Sequence, residues 1–420
     1  MHAENSYWAV TAPYPEPHTA DLPDRVDCVV VGGGYSGLSA ATHLAKKKAS
    51  VAVLERERIG WGASSRNGGM VLPGLKVELE ALARQLGLEA ARRMYEMSVE
   101  AVELVRDLTL AEKIDCELQS TGELYAAWKP AHFKAMCARL PALEKRFGRT
   151  YHVIPPEELA SELGTTRYHG ALVDENAMGL HPRKYVLGLA QSAMRAGATL
   201  HEGMGVTRIE RTASGFTVIT PRGVIRSKHV IIATNGYTGG ITPWHQRRIV
   251  PVGSYIIATE PLDQALADRL IPKRRMVFDS KNMLYYFRIL PDNRMLFGGR
   301  ASFVPTSEEK TGAILRRGMV ELFPDLREVP VAYSWGGTLG FAMDLMPHAG
   351  IRDGMHYSLG YAGHGVALAT YMGKRLAESI TEGKEIPFSN TPFWPIPFYW
   401  GWPWFLPFAG MYYEFMDMVS

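Results

Sequence analysis

A mixed α/β fold is predicted, in which a Rossmann-like domain is interleaved with an antiparallel β-sheet domain. Three observations predict it. Two short, nearly all-apolar runs, Asp27–Val31 and Val51–Leu54, flank a stretch with helical spacing. A glycine hexad stands between the first run and that stretch. Farther along, residues 249–260, 283–290 and 294–300 alternate apolar and polar side chains. All-apolar runs suit strands buried on both faces of a parallel sheet, whereas alternation suits antiparallel strands with one face in the core.

Read in order, residues 1–25 form a polar, proline-rich, irregular arm, followed by the strand Asp27–Val31. Ser36–Lys48 carries Leu38, Ala41, Leu44 and Ala45 on one helical face, and Val51–Leu54 completes a β-α-β unit. Residues 60–74, rich in Gly, Ser and Asn, form a loop. From Val77 to Lys113 the stripe Leu79, Leu82, Leu86, Met94, Met97, Val102 and Val105 predicts helix, broken near Gly87. Residues 116–128 are extended and 131–147 helical. Pro155-Pro156 opens another helix, and His181-Pro182 opens one that Gly197 stops. Val206–Ile209 and Gly215–Thr220 form a small hairpin, and Val230–Ala233 is again an all-apolar strand. Pro291-Asp292-Asn293 suits a turn between two strands. A glycine-rich turn at 360–365 leads into a helix from Val366 to Thr381, ended by Gly383.

Composition narrows the function. With 46 basic against 43 acidic residues the formal charge is +3. That balance argues against nucleic acid or an acidic membrane surface as an obligatory partner. At 46% hydrophobic and 21% charged, the 420-residue chain excludes wholesale disorder and can bury a large core. The three cysteines, Cys28, Cys116 and Cys137, are scattered without a Cys-x-x-Cys pair. They exclude a disulfide scaffold, no metal site is expected, and their odd number favours a reducing, cytoplasmic compartment. The N-terminus lacks the basic start and apolar run of a signal peptide, and no run reaches the roughly 18 apolar residues of a membrane span.

The hexad Gly32-Gly33-Gly34-Tyr35-Ser36-Gly37 matches G-x-G-x-x-G. Gly32 permits the tight turn, Gly34 lets the backbone approach a pyrophosphate, and Gly37 lets helix and strand pack closely. The helix start, with Ser36, offers unpaired N–H groups and partial positive charge to phosphates. Glu55, with Arg56 after it, ends the second strand about twenty residues on, where a carboxylate accepts ribose hydroxyls. An acid there disfavours NADP and leaves NAD and FAD.

The loop Gly60-Trp61-Gly62-Ala63-Ser64-Ser65-Arg66-Asn67-Gly68-Gly69, taken with the hexad, resembles the D-amino-acid oxidase superfamily of flavoproteins. In that family the loop runs along the flavin and pyrophosphate. Ala233-Thr234-Asn235-Gly236 resembles the family's strand returning to the cofactor, and Val206 is expected beside it. Gly360-Tyr361-Ala362-Gly363-His364-Gly365-Val366 resembles its C-terminal G-x-x-G-H-G turn, where a helix N-terminus faces the pyrimidine edge of the flavin. Ser6-Tyr7-Trp8, Arg66–Gly69, Tyr286-Phe287-Arg288, Leu296–Arg300 and Trp335-Gly336-Gly337 are most similar to the branch that contains γ-glutamylputrescine oxidase.

The resemblance implies FAD and oxidation of the C–N bond of an amine or amino acid, by hydride transfer to the flavin and hydrolysis of the imine. Residues 333–348 hold no cysteine for covalent attachment, so noncovalent FAD is expected. Oxygen is the expected acceptor. Arg294–Gly299 lacks the lysine of sarcosine-oxidase-like members, which keeps open a dehydrogenase serving a quinone or carrier protein. A flavin-binding protein without turnover, or an NAD-dependent dehydrogenase, is the further alternative. Around the substrate, Tyr255, Tyr286 and Trp335 are expected to line the cavity, Arg288 to pair with a carboxylate, and His364 to sit by the flavin. The implied division assigns residues 1–112, 166–240 and 337–390 to FAD binding and 113–165 and 241–336 to the substrate. Residues 391–420 form a tail with Trp394, Trp400, Trp402 and Trp404, interrupted by Pro395, Pro397, Pro403 and Pro407 among its prolines. It packs back on the domain, forms a subunit contact, or rests on a membrane surface.

Overall fold

In the computed structural model, which describes residues 6–16, 21–299 and 307–419, the strand Arg25–Val31 lies at the centre of a parallel sheet. It pairs in parallel with Val51–Leu54 on one side and Gly223–Ile232 on the other. Thr199–His201 extends the sheet past Val51–Leu54, and Met355–Leu359 past Gly223–Ile232. Val29, Val30, Val53 and Ile231 are fully buried, as strands covered on both faces require.

Two helices cross over one face of this sheet. Tyr35–Lys46 follows the hexad, and Gly365–Glu382 follows the C-terminal glycine turn. They approach so closely that a Cβ on Gly373 would overlap the Ser36 carbonyl oxygen and lie 2.7 Å from Ser39 Cβ. Ser39 Oγ donates to the Thr370 carbonyl at 2.6 Å across this crossing.

The second sheet runs in the order Val331–Phe341, Val250–Thr259, Met295–Gly299, Tyr285–Ile289, Met276–Asp279, Glu123–Ala126, Ala171–Asp174, His152–Ile154. It is antiparallel except where Met276–Asp279 runs parallel to Glu123–Ala126. Leu315, Met319 and Leu322 of the helix Glu308–Leu322 pack on Ile257, Phe287 and Phe297 of this sheet.

Several expectations are revised. The arm contains a short helix, Tyr7–Thr11, with Trp8 fully buried against Trp335 and His181. The segment after Pro155 is a brief 3-10 turn, Pro156–Ser161. The returning strand spans Gly223–Ile232, because its first half pairs with the Gly215–Thr220 hairpin and alternates in burial. The hairpin's first strand is Arg208–Thr212, which leaves Val206 outside it. Ala171–Asp174 pairs within the second sheet, and Val331–Phe341 runs through the expected boundary at 336/337. A helix, Leu406–Val419, forms in the tail despite Pro407, which sits in its first turn where a missing N–H costs little. Arg300 lies outside the described residues. No described helix is long and apolar enough to cross a membrane.

The tail is mounted from within. Ile396 and Tyr399 are buried with Val250, Val252 and Phe341, and Tyr399 Oη donates to the Ile249 carbonyl at 2.9 Å. Its outer side exposes Trp394, Phe398, Trp400 and Trp402.

The helix crossing yields a direct prediction. Gly373→Ala forces the two backbones apart and lowers stability by about 1–3 kcal/mol. Urea unfolding checks this, and an unchanged midpoint would contradict it.

Candidate active site

The glycine hexad closes its turn by backbone contact. A Cβ on Gly32 would stand 2.7 Å from the Ala233 carbonyl oxygen, and one on Gly37 would overlap the Gly32 carbonyl. Gly34 is the N-cap of the Tyr35–Lys46 helix, and its missing Cβ leaves space 2.9 Å from Ser64 Oγ. Ser64 Oγ accepts from the Tyr35 N–H at 3.1 Å. Glu55 is pinned by two backbone donors: Gly33 N–H at 2.7 Å to Oε2 and Glu57 N–H at 3.0 Å to Oε1. Burial pushes its carboxyl pKa up, and these two donors oppose the shift.

A cavity of about 320 Å³ opens along this turn. Gly32, Gly34, Ser36, Glu55 and Arg56 line it from the β-α-β unit. Gly62, Ala63, Ser64 and Asn67 line it from the loop, and Val206, Ala233, Thr234 and Asn235 from the far side. Gly363, Gly365 and Val366 close it at the start of the second helix. Asn235 holds that closing turn in place, its Oδ1 accepting from Gly360 N–H at 2.9 Å. Two helix N-termini therefore meet one cavity, which the acid Glu55 also lines.

The other expected cofactor residues lie elsewhere. Gly37 serves the helix–strand approach and does not line this cavity. Ser65 is buried and donates to the Gly60 carbonyl at 2.6 Å. Gly69 lies so close to the Leu180 carbonyl that a Cβ would overlap it, and its N–H donates to Asn67 Oδ1 at 2.8 Å. Arg66, Gly68 and His364 line a second cavity, also about 320 Å³. The two cavities share Ala63, Asn67, Leu339, Ala362, Gly363 and Val366, so they adjoin.

Of the side chains expected around the substrate, Tyr286 and His364 line the second cavity. Tyr286 Oη lies 3.1 Å from Ser254 Oγ. Burial drives the His364 imidazole pKa down to about 3, and the charges of Lys76 and Arg149 add to the shift. Arg288, Trp335 and Tyr255 line neither cavity. Arg288 is buried, and its Nη2 donates to the Leu180 carbonyl at 2.6 Å. Trp335 donates from Nε1 to the Arg66 carbonyl at 3.0 Å, and Trp8 likewise to the Asn67 carbonyl at 2.9 Å. These three side chains hold the 66–69 loop from behind. Tyr255, half-buried, packs against Gly253 and Gly336.

The second cavity also has a charged lining that sequence reasoning did not single out: Lys76, Glu123, Arg149, Asp279 and Lys281. The available signal was a lone acid, Glu123, opening the apolar strand Glu123–Ala126. Arg294–Gly299 holds no lysine, and Lys76 and Lys281 reach the cavity from other segments.

A family model described as FAD dependent oxidoreductase, DAO, matches residues 27–379. The chain belongs to this family. Its cofactor is FAD, and it is an oxidoreductase. It is 32% identical to gamma-glutamylputrescine oxidoreductase of Escherichia coli over 99% of both chains. It is 34% identical to a probable oxidoreductase of Rhizobium meliloti over 84% of this chain and 82% of that one. Among solved structures, glycine oxidase from Geobacillus kaustophilus shares the fold at TM-score 0.74 and 22% identity, covering 90% of this chain and all of that one. The first cavity fits FAD. Its glycine cradle leaves room for a pyrophosphate against the backbone, two helix N-termini line it, and Glu55 retains lone pairs for ribose hydroxyls.

Glu55→Ala frees the Gly33 and Glu57 N–H groups and removes the acceptor. It is expected to weaken FAD retention by about ten-fold or more with little change in far-UV circular dichroism. Flavin released on dilution, measured by fluorescence, checks this.

The buried titratable groups give a second prediction. Burial holds His181, His245 and His364 neutral down to about pH 3 and His356 to about 4. In the unfolded chain histidine protonates below about pH 6.5. The unfolded state then binds more protons, so these groups cost stability as pH falls from 6.5. Glu123, raised to about 8, and Asp279, raised to about 6, act in the opposite sense, because the folded state keeps their protons. Glu55, also raised by burial, adds to the acids, and His43 and His229, lowered by burial, add to the imidazoles, so stability is expected to fall between pH 6 and 4.5. Urea unfolding across that range checks the sign, and constant stability would refute it.

Proposed function

We propose that this chain oxidises the C–N bond of an amine or amino acid, with FAD held noncovalently in the first cavity and the substrate in the second. One observation carries the reading: the two cavities adjoin through six shared residues, so a substrate can meet a flavin ring without crossing protein. The relative of full length that acts on an amine, gamma-glutamylputrescine oxidoreductase, supports the substrate class. Cys28, Cys116 and Cys137 line neither cavity, which supports noncovalent attachment.

When bound, FAD supplies the acceptor for a hydride from the carbon beside nitrogen. The residues of this chain place and shield that exchange. The N–H groups that open the Gly365–Glu382 helix face the shared wall and offer partial positive charge where negative charge develops. His364, neutral at ordinary pH, adds no positive charge and takes no proton from the amine there. The amine must arrive neutral, and the Tyr286–Ser254 pair offers it a hydroxyl partner. Leu339, Ala362 and Val366 make the shared wall apolar and limit water.

Oxygen is the proposed electron acceptor. The exposed aromatic face of the tail, including Trp400 and Trp402, favours a second reading, a dehydrogenase serving a membrane-bound quinone.

Without air, the yellow protein is expected to bleach on addition of amines from a panel of γ-glutamylated diamines, secondary amines and N-methyl amino acids. Fast recolouring in air with peroxide supports oxygen, and slow recolouring supports the dehydrogenase. A flavin that no member of the panel reduces would overturn the reading.

A further inference from the structure

The part of the second cavity contributed by the second sheet contains an incomplete ion cluster. Glu123 is 3% exposed and lines the cavity from the strand Glu123–Ala126. Its neighbour in register on the adjoining strand is Asp174, also buried. Both carboxylates face one guanidinium: Arg149 Nη2 donates to Asp174 Oδ2 at 3.1 Å and stands 3.8 Å from Glu123 Oε1. Tyr95 and Tyr151 cover the guanidinium with their rings. Among the described residues Glu123 Oε2 has no hydrogen-bond partner.

With both acids ionised, the cluster carries one negative charge too many. Burial and the Asp174 charge answer this by pushing the Glu123 carboxyl up to about 8, against the pull of Arg149. A buried carboxylate is stable once a cation and hydrogen-bond donors reach it. Of the other charges of the lining, Lys281 lies 3.6 Å from Asp279, Glu78 is bonded to Arg139 at 2.6 Å and Arg66 donates to the Trp61 carbonyl, while Lys76 acts on His364; neither Arg66 nor Lys76 is among the charges that act on Glu123. Among the described residues no group of three or more His, Cys, Asp or Glu could hold a metal ion.

We propose that Glu123, backed by Arg149 and Asp174, binds a second, positively charged amino group of the substrate, so that the preferred substrates are amines carrying an ammonium remote from the C–N bond oxidised. This rests on the amine-oxidation reading above. Glu123 lines the second cavity but not the first, whereas the reacting carbon must lie at the shared wall. The two ends also need opposite protonation states. An amine that loses hydride must be neutral, while an amine paired with a carboxylate stays protonated and unreactive. Glu123 therefore serves the nitrogen that does not react.

The test uses the FAD-loaded full chain and two substrates that differ only at the far end: γ-glutamylputrescine and its glutaryl analogue, which lacks the α-ammonium. For the unaltered protein, kcat/KM is expected to fall about ten- to hundred-fold on loss of the ammonium, mostly through KM. Glu123→Gln is expected to lower kcat/KM for γ-glutamylputrescine by a similar factor and to leave the glutaryl analogue unchanged. Glu123→Asp, which keeps the charge, should retain part of the preference. Equal kcat/KM for the two substrates in the unaltered protein, or an equal loss for both in Glu123→Gln, overturns the inference and leaves amine oxidation standing. Failure of both substrates and of all other amines to bleach the flavin overturns amine oxidation, and this inference with it.

Discussion

Close approach of backbone to backbone is the constraint on which the rest depends. At Gly32, Gly37 and Gly373 there is no room for a side-chain carbon. The first two let the hexad turn sharply against the Ala233 strand end. The third lets the Gly365–Glu382 helix lie directly on the Tyr35–Lys46 helix. These contacts bring two helix N-termini, far apart in sequence, to one cavity. Their unpaired N–H groups and partial charges then come from the fold itself and need no ionisable side chain.

The same economy explains why several aromatic and basic residues proved to be supports. The 66–69 loop must lie flat between the two cavities, and its carbonyls must be satisfied from behind. Trp8 and Trp335 each donate an indole N–H to one of these carbonyls, and Arg288 packs beside Gly69 and bonds the Leu180 carbonyl. A buried tryptophan suits this task because it fills space and brings one donor. The cost of burying Arg288 shows in a pKa lowered to about 10, and it keeps a carbonyl partner and the nearby Trp8 ring. Such residues tie the N-terminal helix, the second sheet and the loop into one wall.

How much of this was legible in the sequence depended on range. The β-α-β unit, the loop and the C-terminal turn are local motifs in which spacing reports backbone geometry, and most of their residues do meet around one cavity. The lining of the second cavity was not legible. Glu123 and Asp279 lie on strands that pair in parallel, and Arg149 stands just before the strand His152–Ile154, two places away from the Glu123 strand in the same sheet. Arg288 misled for a related reason: an arginine on an alternating strand is read as facing a ligand or solvent, and only the packing shows a backbone carbonyl waiting for it. The 3-10 turn Pro156–Ser161 was hidden by a proline start that serves such a turn as well as a helix.

The two cavities differ in how they obtain their electrostatics, and that difference bears on what each can recognise. Along the first, charge comes from N–H groups and from a carboxylate pinned by two backbone donors, an arrangement that varies little with pH or side-chain motion. Such a field suits a group of constant shape and charge. Along the second, charge sits on side chains brought together by sheet pairing, one of them left without a hydrogen-bond partner at Oε2 among the described residues. Even held neutral by its raised pKa, a buried acid without a partner costs the fold, and a hydrophobic side chain in its place would pack at less cost. Its presence beside a guanidinium and a second acid makes physical sense where an occupant supplies the missing charge. The selectivity of this site then follows from a deficit in the protein, because an occupant without the matching cation leaves the cost in place.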